Sequence, residues 1–501
     1  MVYMSKTAHL VYPHQLFKAE LLPEGIHTVF VIEDPLYFGT DNQYPVFFHK
    51  QKLILQRASM RRYIEEVLWP AKYEVEYITF DQLVESGDIV QKLRGFDRVT
   101  LFDVVDDVLQ RRLQSAATTV PDAPTLTMLE SPNFYLKRGE VAEYFTKSKK
   151  AHFDDFYQYM RERFNILIDE NYKPVGGKWS HEVDLHKRLD DGQTLPSFAV
   201  FGSNKFVDEA RGYVQKNFPN NPGNDQDFCW ATNHAEAEQW LHEFVSQRLQ
   251  DFATYQDAID GQAPWLFHSA LSPALNVGFL QPQQVVEAAL AYHGKKEIPL
   301  TSLEGFIRQV LGYREYVRGM YVSHGVAMRT ANVFTHRRKL TQDWYEGTTG
   351  IPPVDDVIKK VLNRGYIHHV ERLMVMGNLM FLSQIDPKEV YQWFMELTVD
   401  AYDWVLVPSV FSLSQYADGG SMADKPNICG SDYILQMSRY QKGEWSDTWD
   451  GLFWGFIEAH QDELLKNPHM KIIVSQMAKI SEDRKRIVGY RANDFLNAKT
   501  K

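Results

Sequence analysis

The spacing of hydrophobic residues changes character along this 501-residue chain. Up to residue 130, short apolar runs rich in β-branched residues alternate with helical patterns. The runs lie at 9–16, 28–33, 73–80, 98–104 and 126–129. Strands that alternate with helices predict a parallel, Rossmann-like α/β sheet. No glycine-rich phosphate loop follows the first run, which argues against a standard dinucleotide or nucleoside-triphosphate site there.

From residue 235 onward, apolar positions recur with helical spacing in nearly every segment. This periodicity predicts helices over 238–251, 284–292, 354–362, 389–404 and 449–465. The preceding stretch has proline-rich and glycine-rich segments and a basic run at 147–150, which are typical of a connector. A chain of this length exceeds one hydrophobic core. We therefore predict an α/β domain over 1–130, a connector over 131–234 and a large all-α domain over 235–501.

Composition narrows the class of protein. Hydrophobic residues make up 44% of the chain and charged residues 24%, as in ordinary soluble globular proteins. No run of 18 apolar residues occurs, so we expect no membrane span, and a cytoplasmic monomer. With only Cys229 and Cys429, no disulfide framework is indicated.

The net charge of −11 argues against a protein that coats long nucleic acid. It leaves room for a local basic face, because several basic residues cluster along one part of the chain. These are Arg308, Arg314, Arg318, Arg329 and the run 337–339. The alternative for each of them is an ordinary solvated surface residue.

One segment combines apolar and ionisable residues most densely. Residues 364–378 read RGYIHHVERLMVMGN, so that His368 and His369 open an otherwise apolar helix and Arg372 follows. A carboxylate, Asp400, comes one helix later. Charged groups are costly to bury unless they are paired or used, which suggests the wall of a ligand pocket. A helix start with solvated histidines is the plain alternative.

Two further segments carry polar residues suited to phosphate. In 267–278, FHSALSPALNVG, Ser269 and Ser272 before a proline predict the start of a helix. Its free N–H groups would suit phosphate, although a plain helix cap explains the serines equally well. In 303–319, LEGFIRQVLGYREYVRG, the planar fork of Arg314 matches a diphosphate. A surface salt-bridge network is the alternative there.

In this order and spacing, the three segments resemble the photolyase/cryptochrome family, in particular its bacterial branch of iron–sulfur (6-4) photolyases and related cryptochromes. The resemblance covers most of the chain and is strongest over 260–435. It implies a helical domain that binds FAD non-covalently. The residues implied around FAD are Ser269, Leu271, Ser272, Asn276, Gln309, Arg314, Arg372, Asp400 and Leu406.

The resemblance also implies a reaction, the light-driven repair of pyrimidine (6-4) photoproducts in UV-damaged DNA. His368 and His369 would face the lesion, with His369 as proton donor, a role that suits imidazole. Arg372 would pair with Asp400 beside the isoalloxazine. Two alternatives stay open: a flavin photoreceptor without repair activity, and a DNA-binding relative without productive photochemistry.

The resemblance further implies a path for electrons. Trp393 would relay electrons to the excited FAD, and its neighbour, often tyrosine in the family, is Phe394 here. A further aromatic residue of the relay would fall near Trp344 or Tyr345. Core packing is the alternative for each of these side chains.

The chain departs from this branch at the positions of its 4Fe–4S cluster. The four cluster cysteines would fall around Pro353, Gln441, Glu444 and Asp447, and none of these is cysteine. Thiolate ligation is impossible there, so we expect no iron–sulfur cluster and no other metal site. Aromatic side chains could fill the volume instead, namely Tyr440, Trp445 and Trp449.

Three other departures concern the chromophores and the lesion. Leu406 stands where relatives place a polar residue against flavin N5, which puts the stability of the reduced flavin in question. Asn427 replaces a tyrosine near the lesion, and both changes favour the non-repairing alternatives. Lumazine-binding relatives have a cysteine and a glutamate after the second strand, whereas here an insertion at 39–45 follows. A lumazine antenna would therefore meet an altered site, although the helix near His49 fits.

We expect purified protein to contain neither iron nor acid-labile sulfide, because the thiolates that would hold a cluster are missing. Elemental analysis and a sulfide assay would check this expectation. A stoichiometric iron content, together with a broad absorbance at roughly 400 nm, would contradict it.

Overall fold

The computed structural model describes residues 6–147, 152–181 and 187–501. Within these residues five parallel strands form one sheet in the order β3-β2-β1-β4-β5. The strands are β1 (Thr7–Val11), β2 (Thr28–Ile32), β3 (Glu74–Ile78), β4 (Arg98–Phe102) and β5 (Thr125–Leu129). Every residue of β2 is buried, as expected of a central parallel strand. The predicted parallel α/β sheet is confirmed. Of the basic run at 147–150, only Lys147 belongs to the described residues.

The helices of the first 234 residues are fewer than those that follow. They are α1 (Pro35–Phe38), α2 (Lys50–Tyr63), α3 (Ile89–Lys92), α4 (Asp107–Thr119), α5 (Arg138–Lys147), α6 (Phe153–Phe164) and α7 (Lys205–Asn217). The α2 helix continues into a π-helical turn at Ile64–Leu68. The boundaries of the predicted domains stay a prediction.

The rest of the chain is helical, in agreement with the predicted all-α architecture. The first helices are α8 (His234–Gln247), α9 (Phe252–Tyr255), α10 (Ser272–Val277), α11 (Pro282–His293), α12 (Leu300–Ile307), α13 (Arg314–Thr330), α14 (Asp343–Glu346) and α15 (Pro352–Arg364). The others are α16 (Asn378–Leu382), α17 (Pro387–Leu397), α18 (Asp403–Leu406), α19 (Ser431–Met437), α20 (Glu444–Ala459), α21 (Gln461–Leu464), α22 (Lys471–Met477) and α23 (Glu482–Lys499). Further π-helical segments are Arg308–Tyr313, Glu371–Gly377 and Val407–Ser414.

The predicted helix over 389–404 is wrong in its second half. The α17 helix ends at Leu397, and Thr398 already has extended backbone angles. The segment up to Tyr402 exchanges helical hydrogen bonds for tertiary ones. The Val399 N–H donates to the Gly365 carbonyl (2.8 Å), and Lys52 Nζ donates to the Ala401 carbonyl (2.6 Å). Because these partners lie elsewhere in the chain, periodicity alone could not reveal the break.

The predicted strand over 9–16 is also too long, since β1 ends at Val11. Pro13 follows two residues later, and proline cannot donate a ladder hydrogen bond. The side chains of this loop turn inward, where Gln15 Nε2 donates to the Phe102 carbonyl (3.0 Å).

The proposed basic face over 308–339 is largely internal, which corrects that expectation. Arg318 is fully buried and lies 3.2 Å from Asp103, while Arg329 is ion-paired with Asp403. Arg314 belongs to a cavity described below. Only Arg337 and Lys339 of the group have exposed side chains. The clustering therefore reflects internal pairing more than a surface patch.

Arg318 also joins α13 to the sheet region. Its Nη1 donates to the Leu136 carbonyl (2.7 Å), and its guanidinium lies over the Phe134 ring at 4.1 Å. Asp103, which immediately follows β4, accepts from the same guanidinium. In the described part of the chain, no helix is long and apolar enough to cross a membrane.

We expect Arg318→Met to lower the free energy of unfolding by about 3 kcal/mol, because it removes one partner of a buried ion pair. Urea unfolding followed by far-UV circular dichroism would measure the change. Arg111→Met is the matched control, since Arg111 is 65% exposed and pairs with Asp107 one helical turn away. Its effect should stay below about 0.5 kcal/mol. Equal effects of the two substitutions would contradict the structural role of Arg318.

Candidate functional site

Two adjoining cavities lie among the helices after residue 250. Their volumes are about 260 Å³ and about 220 Å³. Together they reach the range of cofactor sites, roughly 300–1,000 Å³. We refer to them jointly as the central cavity. The residues common to both walls are Ser272, Tyr313, Tyr366, His369, Asp400, Val405 and Ser409.

Three of the π-helical segments contribute to the wall of the central cavity. Arg308–Tyr313 supplies Gln309 and Tyr313, Glu371–Gly377 supplies Arg372, and Val407–Ser414 supplies Ser409. Such widened turns interrupt an α-helix and occur frequently at functional sites. These three widened turns therefore converge on one cavity, as expected of a functional site.

An ion pair holds the floor of the cavity. Arg372 Nη2 donates to both carboxylate oxygens of Asp400, at 2.9 and 3.0 Å. The Ser272 hydroxyl donates to Asp400 Oδ2 (2.6 Å), and Asn276 Nδ2 donates to the Asp400 carbonyl (2.8 Å). Asp400 sits in the non-helical break after α17, where its backbone and side chain are both free for these partners. The predicted pairing of Arg372 with Asp400 is present in the structure.

The segment around α10 differs from the helix start that the sequence predicts at Ser269 and Ser272. The helix does begin at Ser272, but it has only six residues, and neither Ser269 nor Ser272 caps it. The Ser272 hydroxyl is used by Asp400 instead. Ala270 has φ of 50°, a left-handed conformation that is unfavourable for a residue with a side chain. This turn places Ser269, Leu271 and Ser272 on the cavity wall.

Arg314 lines the other side of the cavity. Its Nη1 donates to Asn276 Oδ1 (2.6 Å), and its guanidinium lies 4.9 Å from the centre of the Trp404 ring. Desolvation lowers the pKa of Arg314 to about 10, with Glu315 opposing this shift. Its Nη2 is buried without a hydrogen-bond partner among the described residues. A buried donor without a partner is costly, so this atom fits an anionic ligand such as a diphosphate.

Two of the three histidines at this end of the cavity were predicted from sequence. His369 is on the wall and exposed to the cavity, and His368 is fully buried behind it. The His268 ring stacks on His368 with centroids 4.5 Å apart and planes at 12°. Desolvation by the surrounding protein lowers the pKa of His369. The negative charge of Asp257 opposes this shift, whereas the positive charges of Arg372 and His368 increase it.

Sequence reasoning missed His268, Asp257 and Tyr366, which also line the cavity. His268 and Tyr366 lie inside the motifs that were singled out, so their positions were a usable signal. Asp257 lies just after α9, in a stretch without a recognisable pattern. Of the remaining predicted residues, Asn276, Gln309 and Leu406 are all on the wall.

The aromatic residues form a row that leads away from the cavity. Phe394 is on the wall, and its ring lies 5.0 Å from that of Trp393. Trp393 Nε1 donates to the Trp344 carbonyl (2.8 Å), and both tryptophans are fully buried. Tyr345, the residue after Trp344, is half-buried. Trp393 is thus one side chain removed from the cavity rather than in its wall.

The structure shows the surroundings of Asn427 and of the positions where the cluster cysteines are missing. Asn427 Nδ2 donates to the Leu413 carbonyl (3.0 Å), so its amide is turned into the protein. At the expected cluster positions, aromatic side chains pack together. The Tyr440 hydroxyl donates to Asp356 (2.7 Å), and the Trp445 and Trp449 rings lie 6.3 Å apart.

A separate cavity of about 590 Å³ lies between the sheet region and the helices around α17. The insertion at 39–45 contributes Tyr44 and Pro45, and α2 contributes Lys52. Desolvation lowers the pKa of the buried Lys52 ammonium to about 7. Because Lys52 also binds the Ala401 carbonyl, this second cavity adjoins the segment that carries Asp400.

A parallel α/β domain, a helical domain and a central cavity with an aspartate–arginine pair and an unpartnered arginine donor define a photolyase-type flavoprotein. Comparison with known proteins identifies the relatives. The family model for deoxyribodipyrimidine photo-lyase-related proteins matches residues 9–230. The model for the FAD-binding domain of DNA photolyase matches residues 305–412.

Among individual relatives, the (6-4) photolyase of Agrobacterium fabrum is 30% identical over 462 residues, covering 89% of this chain and 91% of the relative. Two solved structures share the fold. A class III photolyase from Agrobacterium tumefaciens gives a TM-score of 0.58 at 16% identity, with 98% and 92% of the two chains covered. A Synechocystis cryptochrome gives 0.56 at 14% identity, with 97% and 94% covered. The chain belongs to the photolyase/cryptochrome family.

We expect Asp400→Asn to reduce the affinity for FAD at least about tenfold, since it leaves the Arg372 guanidinium without its carboxylate. FAD released by heat and quantified by chromatography, relative to protein, would measure the retained fraction. Asp356→Asn is the matched control, because Asp356 bonds Tyr440 and does not line the cavity. An Asp400→Asn protein with full FAD content would contradict the assigned role of the pair.

Proposed function

We propose that this protein repairs pyrimidine (6-4) photoproducts in DNA, using FAD and blue light. The observation that carries the proposal is the exposure of His369 to the same cavity whose floor is the Arg372–Asp400 pair. A proton donor and a cofactor site thus open into one space. The Agrobacterium fabrum relative, which is named as a (6-4) photolyase, supports the same reaction.

The residues of the cavity would hold FAD in defined ways. Arg314, with its unpartnered Nη2, and the α10 segment suit the diphosphate. The ion pair of Asp400 and Arg372 suits the polar edge of the isoalloxazine. When bound and reduced, FAD supplies an electron to the lesion under blue light. Trp393 and Trp344 would carry electrons toward the cavity from the outer side of the domain.

His369 would supply the proton that the lesion needs. Its ring is accessible from the cavity, so that a nucleotide flipped out of the duplex could reach it. Imidazole is suited to this work because its two protonation states lie close in free energy near neutral pH. His368 is buried next to it in the chain, and the His268 ring, which also lines the cavity, stacks on that of His368.

UV-damaged DNA is the partner that this proposal implies. The net charge of −11 and the internal pairing of Arg318 and Arg329 mean that contact with the duplex should be local. A damaged site costs less to unpair than an intact one, so damaged duplex should bind more tightly. An antenna chromophore, where one is bound, has room in the separate cavity beside Lys52.

A flavin photoreceptor without repair activity is the second candidate function. Two observations favour it: Leu406 gives the cavity wall no hydrogen-bonding group at its position, and the Asn427 amide is engaged with the Leu413 carbonyl. Partial relatives include plant cryptochromes, such as Cryptochrome-2 of Arabidopsis thaliana at 24% identity over 34% of this chain. A protein that binds FAD, is photoreduced and repairs nothing would establish this alternative.

We expect His369→Ala to leave FAD content and DNA affinity nearly unchanged while repair falls by about a hundredfold or more, because the imidazole acts in proton transfer. Illumination of chemically reduced enzyme with an oligonucleotide that carries one (6-4) photoproduct, followed by chromatography, would measure the rate. Repair at the normal rate would rule out the role of His369.

Trp393→Phe is the matched control for this experiment. It should slow photoreduction of the bound cofactor but spare repair by enzyme that has already been reduced chemically. The two variants together separate electron supply from proton supply.

A further inference from the structure

Behind the cavity wall lies a buried group of ionisable side chains that the proposed reaction has not yet used. Lys360 on α15 donates from Nζ to Glu371 Oε1 and to the Asp260 carbonyl, the latter at 2.7 Å. Glu371 opens the π-helical segment after the paired histidines and is fully buried. Its second oxygen, Oε2, lies 3.4 Å from His368 Nε2. A carboxylate therefore stands between an ammonium and an imidazole.

The two oxygens of Glu371 are in different situations. Oε1 is taken by Lys360, whereas Oε2 is buried and makes no hydrogen bond within the described residues. Burial raises the pKa of the Glu371 carboxyl, but His368 and Lys360 outweigh this, and the pKa ends below its ordinary value. The Lys360 ammonium, hydrogen-bonded to Oε1, is the partner expected of an ionised carboxyl in a buried site. An ionised carboxylate beside an imidazole favours a proton on the imidazole.

We propose that His368, rather than His369, holds the extra proton in the resting protein, and that Glu371 keeps it there while Lys360 anchors the carboxylate. Glu371 and Lys360 are then positioning residues, since neither reaches the cavity. Only one part of this inference rests on the proposed function, namely that the proton is finally taken up by the lesion. His368 would lose this proton to the reaction in the cavity and be left neutral, beside His369, the next residue in the chain.

The ring stacked on His368 is a second imidazole. Burial holds the pKa of His268 well below its ordinary value, so this ring is neutral at pH 7. A neutral ring can lie flat on a charged one without repulsion. Other ionisable groups near the cluster are Arg372 and Asp257 beside His369, Tyr366, and Tyr440 with Asp356 on the Glu371 side.

Nitrogen chemical shifts of histidine rings test the proposal without any repair assay. The FAD-bound protein would be labelled with ¹⁵N in histidine, and His368→Asn and His369→Asn would assign the two signals. At pH 7 we expect His368 to show two protonated ring nitrogens and His369 one. The double variant Lys360→Met/Glu371→Gln removes the carboxylate without leaving an unpaired ammonium. In this variant His368 should show only one protonated ring nitrogen.

Glu304→Gln is the matched control, because Glu304 is equally buried but binds the His181 N–H (2.7 Å) away from the cavity. The His368 signal should not change in it. The single variant Glu371→Gln should behave like the double variant if it folds. A His368 ring with one protonated nitrogen in the wild-type protein between pH 6 and pH 7, or no change in the double variant, would overturn the proposal.

Repair kinetics then separate this inference from the proposed function. If both hold, the alkaline limb of the repair pH profile should move down by about one pH unit in the double variant, a roughly tenfold loss of rate on that limb. A different outcome would contradict the repair proposal and still support this one. In that case the wild-type protein has no repair activity, its His368 is charged, and this charge is absent from the double variant.

Discussion

The ion pair between Asp400 and Arg372 is the interaction on which the rest of the site depends. A carboxylate that is only 6% exposed needs a cation close by, and Arg372 Nη2 donates to both of its oxygens. To reach it, the chain must leave the helix after Leu397. The break exposes backbone groups that Lys52, Asn276 and Gly365 satisfy. One buried charge thus accounts for the end of α17, the fold of the α10 segment and a contact with the sheet region.

Much of the fold could be predicted from sequence because the elements carry their own patterns. The central strands β1, β2 and β4 are almost wholly buried apolar runs, and many of the helices bury one apolar face. The break after α17 could not be predicted, since its cause is a set of partners distant in sequence. The same limit applies to the arginines of 308–339. Their charge is visible in the sequence, but Asp103 and Asp403, which neutralise Arg318 and Arg329, lie elsewhere.

The residues of the candidate site also divide into those that the sequence could predict and those that it could not. Residues inside the three motifs were placed on one cavity, because a motif fixes both residue type and spacing. His268 lies in a motif yet was overlooked, since a single histidine has no meaning until its neighbour is known. Its stacking on His368 joins segments a hundred residues apart, and this gives the histidine its significance.

The balance between repair and photoreception depends on protons more than on electrons. A photoreceptor needs a cofactor site and an electron path, and Arg372, Asp400 and Trp393 would serve it equally well. It has no evident use for three histidines backed by Glu371 and Lys360. Burying that group is unfavourable, because the desolvation of a carboxylate and an ammonium is only partly repaid by their attraction. Leu406 gives the wall no hydrogen-bonding group, and the Asn427 amide is engaged with the Leu413 carbonyl, but neither change touches the histidines. The proposed repair reaction would give this costly cluster a use, because a cavity substrate that takes up a proton would meet it through His369, whereas photoreception alone would not.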